Sequence, residues 1–423
     1  MLDSRLEHNL HIFVNSVEFI AKVIDLAKLT PEQVKVVCSV SGDNGENNQR
    51  KLGKDYPIGQ PSDPVRKINF YTSTCFEGCD LYDENGVTFI VSDEQLRPYF
   101  PENKAVNGLF EMVKRIYGIT AKERKDVDVW HPDVRFFELY DENNELRGSF
   151  YLDLYARENK RGGAWMDDCV GQMRKADGSL QKPVAYLTCN FNRPVNGKPA
   201  LFTHDEVITL FHEFGHGLHH MLTRIETAGV SGISGVPWDA VELPSQFMEN
   251  WCWEPEALAF ISGHYETGEP LPKELLDKML AAKNYQAALF ILRQLEFGLF
   301  DFRLHAEFRP DQGAKILETL AEIKKLVAVV PSPSWGRFPH AFSHIFAGGY
   351  AAGYYSYLWA DVLAADAFSR FEEEGIFNRE TGQSFLDNIL SRGGSEEPMD
   401  LFKRFRGREP QLDAMLEHYG IKG

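Results

Sequence analysis

Apolar residues recur at helical spacing through most of the chain and alternate at strand spacing in only a few short windows. Residues 1–30 carry the helical pattern, with apolar positions from Leu10 to Leu29. Residues 41–64 (SGDNGENNQRKLGKDYPIGQPSDP) lose all periodicity and concentrate Gly, Asn, Asp and Pro, which predicts a loop or linker. Two short strands are expected within 68–91, INFYTST and GVTFIV, about the turn Asp83-Glu84-Asn85-Gly86. Helical spacing returns over 92–118. A hairpin pattern covers 134–156 with its turn at Asn143-Asn144, and 183–191 reads as a further strand. After residue 203 the pattern is almost wholly helical, over 204–223, 273–308, 312–329, 357–374 and 381–417. The pentamer LYDEN at 81–85 and 139–143 is turn-rich sequence recurring rather than an internal repeat. The expected fold is mainly α, with a small β-sheet beside the helix 204–223.

Composition changes this picture little. A length of 423 residues suggests two or three domains. The formal net charge of −17, from 62 acidic and 45 basic residues, repels phosphate backbones and argues against a nucleic-acid partner. Six cysteines include one close pair, Cys75 and Cys79, whose CxxxC spacing matches neither a disulfide framework nor a zinc ribbon. Free thiols in a reducing, cytoplasmic compartment are expected. Asp3, Glu7 and Glu18 stand where a signal peptide would need a basic start and an apolar run. Residues 338–360 carry no Asp, Glu, Lys or Arg and are long enough to span a bilayer, yet they include His340, His344, four tyrosines and three glycines. No membrane association is expected.

The chemistry concentrates in TLFHEFGHGLHH, which contains HExxH at His212, Glu213 and His216. Residues four apart share a helix face, so both imidazoles can reach one metal ion, with Glu213 beside them to take a proton from bound water. Thr203 followed by Glu206 predicts a capping box that starts this helix. A catalytic zinc site needs a third protein ligand. Candidates are His219, His220, Glu226, Glu242, Glu249 and Glu254. His219 lies two turns from His212, too far to share one tetrahedral centre with both, and His220 points further round. The pattern HExxHxxGxxH is absent, since His219 and Leu222 occupy its glycine and third-histidine positions. Glu242, 26 residues after His216 and across a glycine-rich loop, fits best, with Glu249 next. Asp239 could hold a ligand histidine through its other ring nitrogen.

LFHEFGHGLHH (210–220), VELPSQFMENWCWE (241–254) and SHIFAGGYAAGYYSYLWA (343–360) together resemble the thimet oligopeptidase family of zinc metallopeptidases, over about 92–423. The resemblance implies a zincin-like catalytic half of a two-lobed, channel-type oligopeptidase. It implies one Zn²⁺ per chain on His212, His216 and Glu242, with Glu213 as general base. The family's substrate-binding histidine and tyrosines would be His344, Tyr350, Tyr354 and Tyr357. Phenols at Tyr350 and Tyr357, with His344, would stabilise the oxyanion, and Tyr354 would contact substrate. The strand 183–191 could hold the peptide backbone by β-addition.

The implied activity is that of a zinc metalloendopeptidase, hydrolysing short oligopeptides by Glu-assisted attack of zinc-bound water. A monomer is expected. Family members are longer and carry a helical N-terminal region that walls the channel. Residues 1–91 show no motif of it, so they are read as a separate N-terminal segment before a catalytic region at 92–423, with the N-terminal lobe incomplete. The alternative is a catalytically weak or inactive zinc-binding scaffold without a complete substrate channel.

Overall fold

The computed structural model describes residues 93–421, apart from 196, 285, 286, 330, 331 and 334. The expected helix 1–30, the linker 41–64 and the strands within 68–91 lie outside the described residues. The stretch read as one catalytic region divides into two compact units. One comprises Val91–Ala282 and Ser356–His418, and the other takes in Lys283–Tyr355 and Tyr419–Gly423.

In the first unit, α1 (Glu102–Tyr117) buries Ala105, Leu109, Met112 and Ile116 along one stripe, and ends where Gly118 takes φ +68°. Five strands follow: β1 (Thr120–Arg124), β2 (Arg135–Tyr140), β3 (Leu146–Tyr155), β4 (Trp165–Val170) and β5 (Val184–Phe191). Their order across the sheet is β1-β2-β3-β5-β4. The β3–β5 pair is parallel and the others are antiparallel. The expected hairpin is β2–β3. Asn144 adopts φ +59° at its turn, a conformation Asn tolerates better than most residues with a Cβ. Phe137 and Phe150 face each other in the register, with stacked rings 5.1 Å apart.

The helix α2 (His204–Met221) starts at the expected capping box. Glu206 N donates to Thr203 Oγ1 at 3.0 Å, and Thr203 N donates to Glu206 Oε2 at 2.8 Å. Val207, Leu210, Phe211, Phe214 and Leu218 bury α2 in the core, where the Phe214 ring meets Phe150 edge-on at 5.3 Å. The short helix α3 (Leu243–Glu249) packs on the other side of α2. Its Phe247 stacks on Phe385 at 4.1 Å, and Trp251 just beyond it meets Phe368 at 4.9 Å. Each such fully buried aromatic contributes roughly 1.5–3 kcal/mol, so the two helices are held between the sheet and the helix Ser356–Glu374.

In the second unit, the helix Ala287–Ala306 packs on Ile316–Val327; Ile291, Leu295 and Phe300 of the first and Leu320, Ile323 and Val327 of the second are buried. The uncharged stretch 338–360 is not one helix. It forms a 3₁₀ turn (Phe338–Ala341), a single α turn (Ser343–Phe346) and a bent loop before Ser356. Among the described residues no helix is long and apolar enough to cross a membrane.

Candidate metal centre

His212 and His216 stand one turn apart on α2, with ring centroids 5.0 Å apart. Between them, Gly215 faces α3 at a separation that excludes a side chain. A Cβ there would lie 2.4 Å from Pro244 O and 2.6 Å from Ser245 Cα. That close approach brings in Glu242, which immediately precedes α3 and is 1% exposed. Its Oε2 lies 3.3 Å from His212 Nε2 and 3.1 Å from His216 Nε2. The donor atoms of all three side chains lie within 4.8 Å of one another. A tetrahedral zinc with ligand bonds of roughly 2.0–2.2 Å sets its donors about 3.3–3.6 Å apart, so the donor set fits that ion and its spacing lies within a few tenths of an ångström for the two Glu242 pairs.

The surrounding groups orient the donors. His212 Nδ1 donates to Glu249 Oε1 at 2.6 Å, which leaves the lone pair on Nε2 facing Glu242. Ser245 Oγ donates to Glu242 Oε2 at 2.9 Å. Burial disfavours a charged His212 ring, but without a metal the carboxylates of Glu242 and Glu249 outweigh it and hold the imidazole well above its ordinary pKa, so a bound ion would take the place of the Nε2 proton. Burial likewise opposes the charge on Glu242, and the two imidazoles reverse this and hold its carboxyl well below the ordinary range. Glu213, buried on α2, is pushed up by burial, with His212 and His216 partly opposing.

Two expectations are corrected here. Glu249, ranked second as a metal ligand, supplies the carboxylate that holds His212, the part expected of Asp239; His216 Nδ1 has no hydrogen-bond partner among the described residues. The strand 183–191 cannot add a peptide backbone, because β5 is paired on both sides, by β3 and β4; among the described residues the outermost strands of the sheet are β1 and β4. Among the described residues the donor cluster comprises His212, His216 and Glu242, without His219 and His220. Burial, followed by the neighbouring His216 and His220, lowers the His219 pKa to about 3, and His220 Nε2 donates to Val170 O at 3.0 Å, tying α2 to β4.

Tyr357 lies half-buried in the first turn of the helix Ser356–Glu374, in the unit that holds the metal centre. His344, Tyr350 and Tyr354 belong to the other unit, which gathers them into one cluster. The His344 ring lies 6.1 Å from Tyr350 and 5.7 Å from Tyr354. Tyr354 is buried edge-on against Phe297 and Phe342, at 5.5 and 5.0 Å, while His344 is exposed. The backbone turns through this loop, where Ala352 adopts φ +54°.

Comparison with known proteins places the chain in a family. Residues 79–421 match the family described as Peptidase family M3, so the match begins ahead of the resemblance read at 92. Oligopeptidase A of Escherichia coli (strain K12) is 99% identical over 335 residues, which cover 79% of this chain and 49% of that protein. Oligopeptidase A of Haemophilus influenzae is 74% identical over 333 residues, again 79% of this chain and 49% of the relative. Dipeptidyl carboxypeptidase of Escherichia coli (strain K12) is 40% identical over 338 residues, with the same two shares. The chain thus spans about half the length of the curated relatives it matches. With the match covering the HExxH helix, α3 and the tyrosine loop alike, this chain belongs to peptidase family M3.

Proposed function

We propose that this chain is a zinc-dependent endopeptidase of short oligopeptides, with one Zn²⁺ held by His212, His216 and Glu242. The observation that supports it best is the trio of donor atoms, with Oε2 of Glu242 at 3.3 and 3.1 Å from two imidazole nitrogens and a buried Glu213 on the same helix. When bound, the ion supplies Lewis-acid chemistry, acidifying water and polarising a carbonyl.

The residues of this chain do the rest. Glu213 takes the proton of the attacking water on its carboxylate and returns it to the leaving amine, work suited to a carboxyl whose pKa burial raises above its ordinary value. Glu249 keeps His212 in the tautomer that leaves Nε2 free, and Ser245 holds Glu242. Tyr350, Tyr357 and His344 serve as donors to the oxyanion and Tyr354 as a substrate contact. Of the strands in the sheet, β4 would be the one for an extended peptide to add to, since among the described residues it pairs with a strand on one side only. The reading includes a monomer in the cytoplasm, with no nucleic-acid or membrane partner.

The test is turnover of an internally quenched short peptide with a blocked C-terminus, by wild type and Glu213→Gln. Cleavage by wild type and loss in Glu213→Gln support an endopeptidase. Cleavage restricted to peptides with a free C-terminus would replace it with an exopeptidase reading. Zinc binding without turnover of any peptide would instead support the scaffold alternative, in keeping with the half of the relatives' length that this chain spans.

A further inference from the structure

In the helix Ala287–Ala306, Asp301 is completely buried, between Phe300 and Phe302. Its carboxylate reaches 51 residues along the chain. Oδ1 accepts from Ala352 N at 2.8 Å, and Oδ2 accepts from Tyr354 N at 2.9 Å. His305 Nδ1, one turn on, stands 2.9 Å from Oδ1. The two amides bracket Gly353 in the loop whose flanking tyrosines form the cluster with His344. Ala352 stands at φ +54°, in the left-handed region that a residue with a Cβ rarely adopts unless its surroundings hold it there.

We propose that Asp301 is a positioning residue for the tyrosine loop 347–354, its carboxylate serving as the resident anion of a concavity formed by the Ala352 and Tyr354 amides and so fixing how Tyr350 and Tyr354 meet a peptide. The inference rests on the reading of those tyrosines as peptide-binding groups. The chemistry explains why the residue is acidic. Successive N–H groups around a left-handed residue converge on an anion, as backbone nests do. Both oxygens are engaged, and each faces a donor. Asparagine matches the shape but accepts through one oxygen only, and its NH₂ would face an amide hydrogen. The loop's own bonds, Tyr350 N to His344 O at 3.0 Å and Gly353 N to Tyr350 O at 2.9 Å, tie it to His344 but leave the Ala352 and Tyr354 amides to Asp301.

The test uses the full zinc-loaded chain and reads amide hydrogen exchange alongside peptide hydrolysis. Asp301→Asn is expected to speed exchange at Ala352 and Tyr354 by about tenfold and to lower kcat/KM by about tenfold, chiefly through KM. Zinc content should not change. Adding Ala352→Gly to Asp301→Asn should recover part of the loss, because glycine takes φ near +54° without a clamp. Ala352→Val, with Asp301 intact, should reproduce the loss, and it carries the test if Asp301→Asn fails to fold. Unchanged exchange in Asp301→Asn would overturn the proposal. So would a lower melting temperature with wild-type kcat/KM, the result of a merely structural role. A wild type that cleaves no peptide at all would remove the peptidase reading and this proposal with it. A fully active Asp301→Asn would remove this proposal alone.

Discussion

Gly215 lies inside the HExxH motif, at a position where the motif itself sets no requirement. Placing alanine at a helix-interior glycine ordinarily stabilises a protein by up to about 1 kcal/mol. The structure reverses that expectation. The new methyl would sit 2.4 Å from Pro244 O and 2.6 Å from Ser245 Cα, both backbone atoms that cannot rotate away. Relieving the overlap to ordinary contact requires α2 and α3 to separate by about 1 Å. Overpacking of this kind costs roughly 1–3 kcal/mol, and rigid backbone on both sides puts it at the upper end, so the net effect is a loss of about 2 kcal/mol. The same displacement moves Glu242, at the start of α3, out of the 3.1–3.3 Å spacing it keeps with the two imidazoles. Zinc affinity, measured by competition with a chelator, should fall about tenfold or more. Gly217→Ala is the control, because its methyl would meet only the movable ends of Leu187 and Met221, at 3.1 and 3.3 Å. A Gly215→Ala chain as stable as wild type, with undiminished zinc affinity, would refute the claim that this contact places the third ligand.

Other perturbations follow from the same contacts. Glu249→Ala, which frees His212 Nδ1, should weaken zinc binding roughly 10–100-fold in the same competition assay while leaving the ligand set unchanged. Thr203→Ala removes one half of the capping box on α2 and should lower stability by about 1 kcal/mol in denaturant unfolding, with little change in zinc affinity. The His305 imidazole is raised above 6.5, first by its hydrogen bond to Asp301. A raised histidine adds stability that is fully present below pH 6.5 and is lost as pH climbs through the higher folded value. The melting-temperature gap between wild type and His305→Gln should therefore be larger below pH 6.5 than above the raised value, and an equal gap would show that the pair does not titrate as described.

The parts of this architecture legible from sequence were those built from local signals. The Thr203–Glu206 capping box, the i, i+4 histidines and the β2–β3 turn at Asn143-Asn144 depend on residues within a few positions of one another. The window 381–417 carries helical periodicity throughout but is interrupted, first at Gly393-Gly394. There a Cβ would come within 2.5 Å of Val230 O or 2.4 Å of Gly235 C, so the break serves a tertiary contact that periodicity does not register. The strand β1, TAKER, has no apolar alternation to find. It is held by its ladder to β2 and by cross-strand ion pairs, Arg124 with Glu138 and Arg135 with Glu123. Glu242 and Glu249 both looked able to reach the metal. What separates them is the Gly215 contact, which sets Glu242, at the start of α3, beside both Nε2 atoms, while Glu249, at its end, reaches only His212 Nδ1. Asp301 gave a faint signal, an acidic residue in the apolar run LFDF, but its partners are 51 and 53 residues away.

The central claim is that two histidines and Glu242 form the metal site. X-ray absorption at the zinc edge, on wild type and Glu242→Ala loaded with one equivalent of zinc, tests it most directly. The account predicts a wild-type shell of two imidazole nitrogens and oxygen donors at roughly 2.0–2.2 Å with no sulfur, and loss of the carboxylate oxygen with weaker binding in Glu242→Ala. A third imidazole, a sulfur ligand, or a Glu242→Ala spectrum and affinity equal to wild type would contradict it.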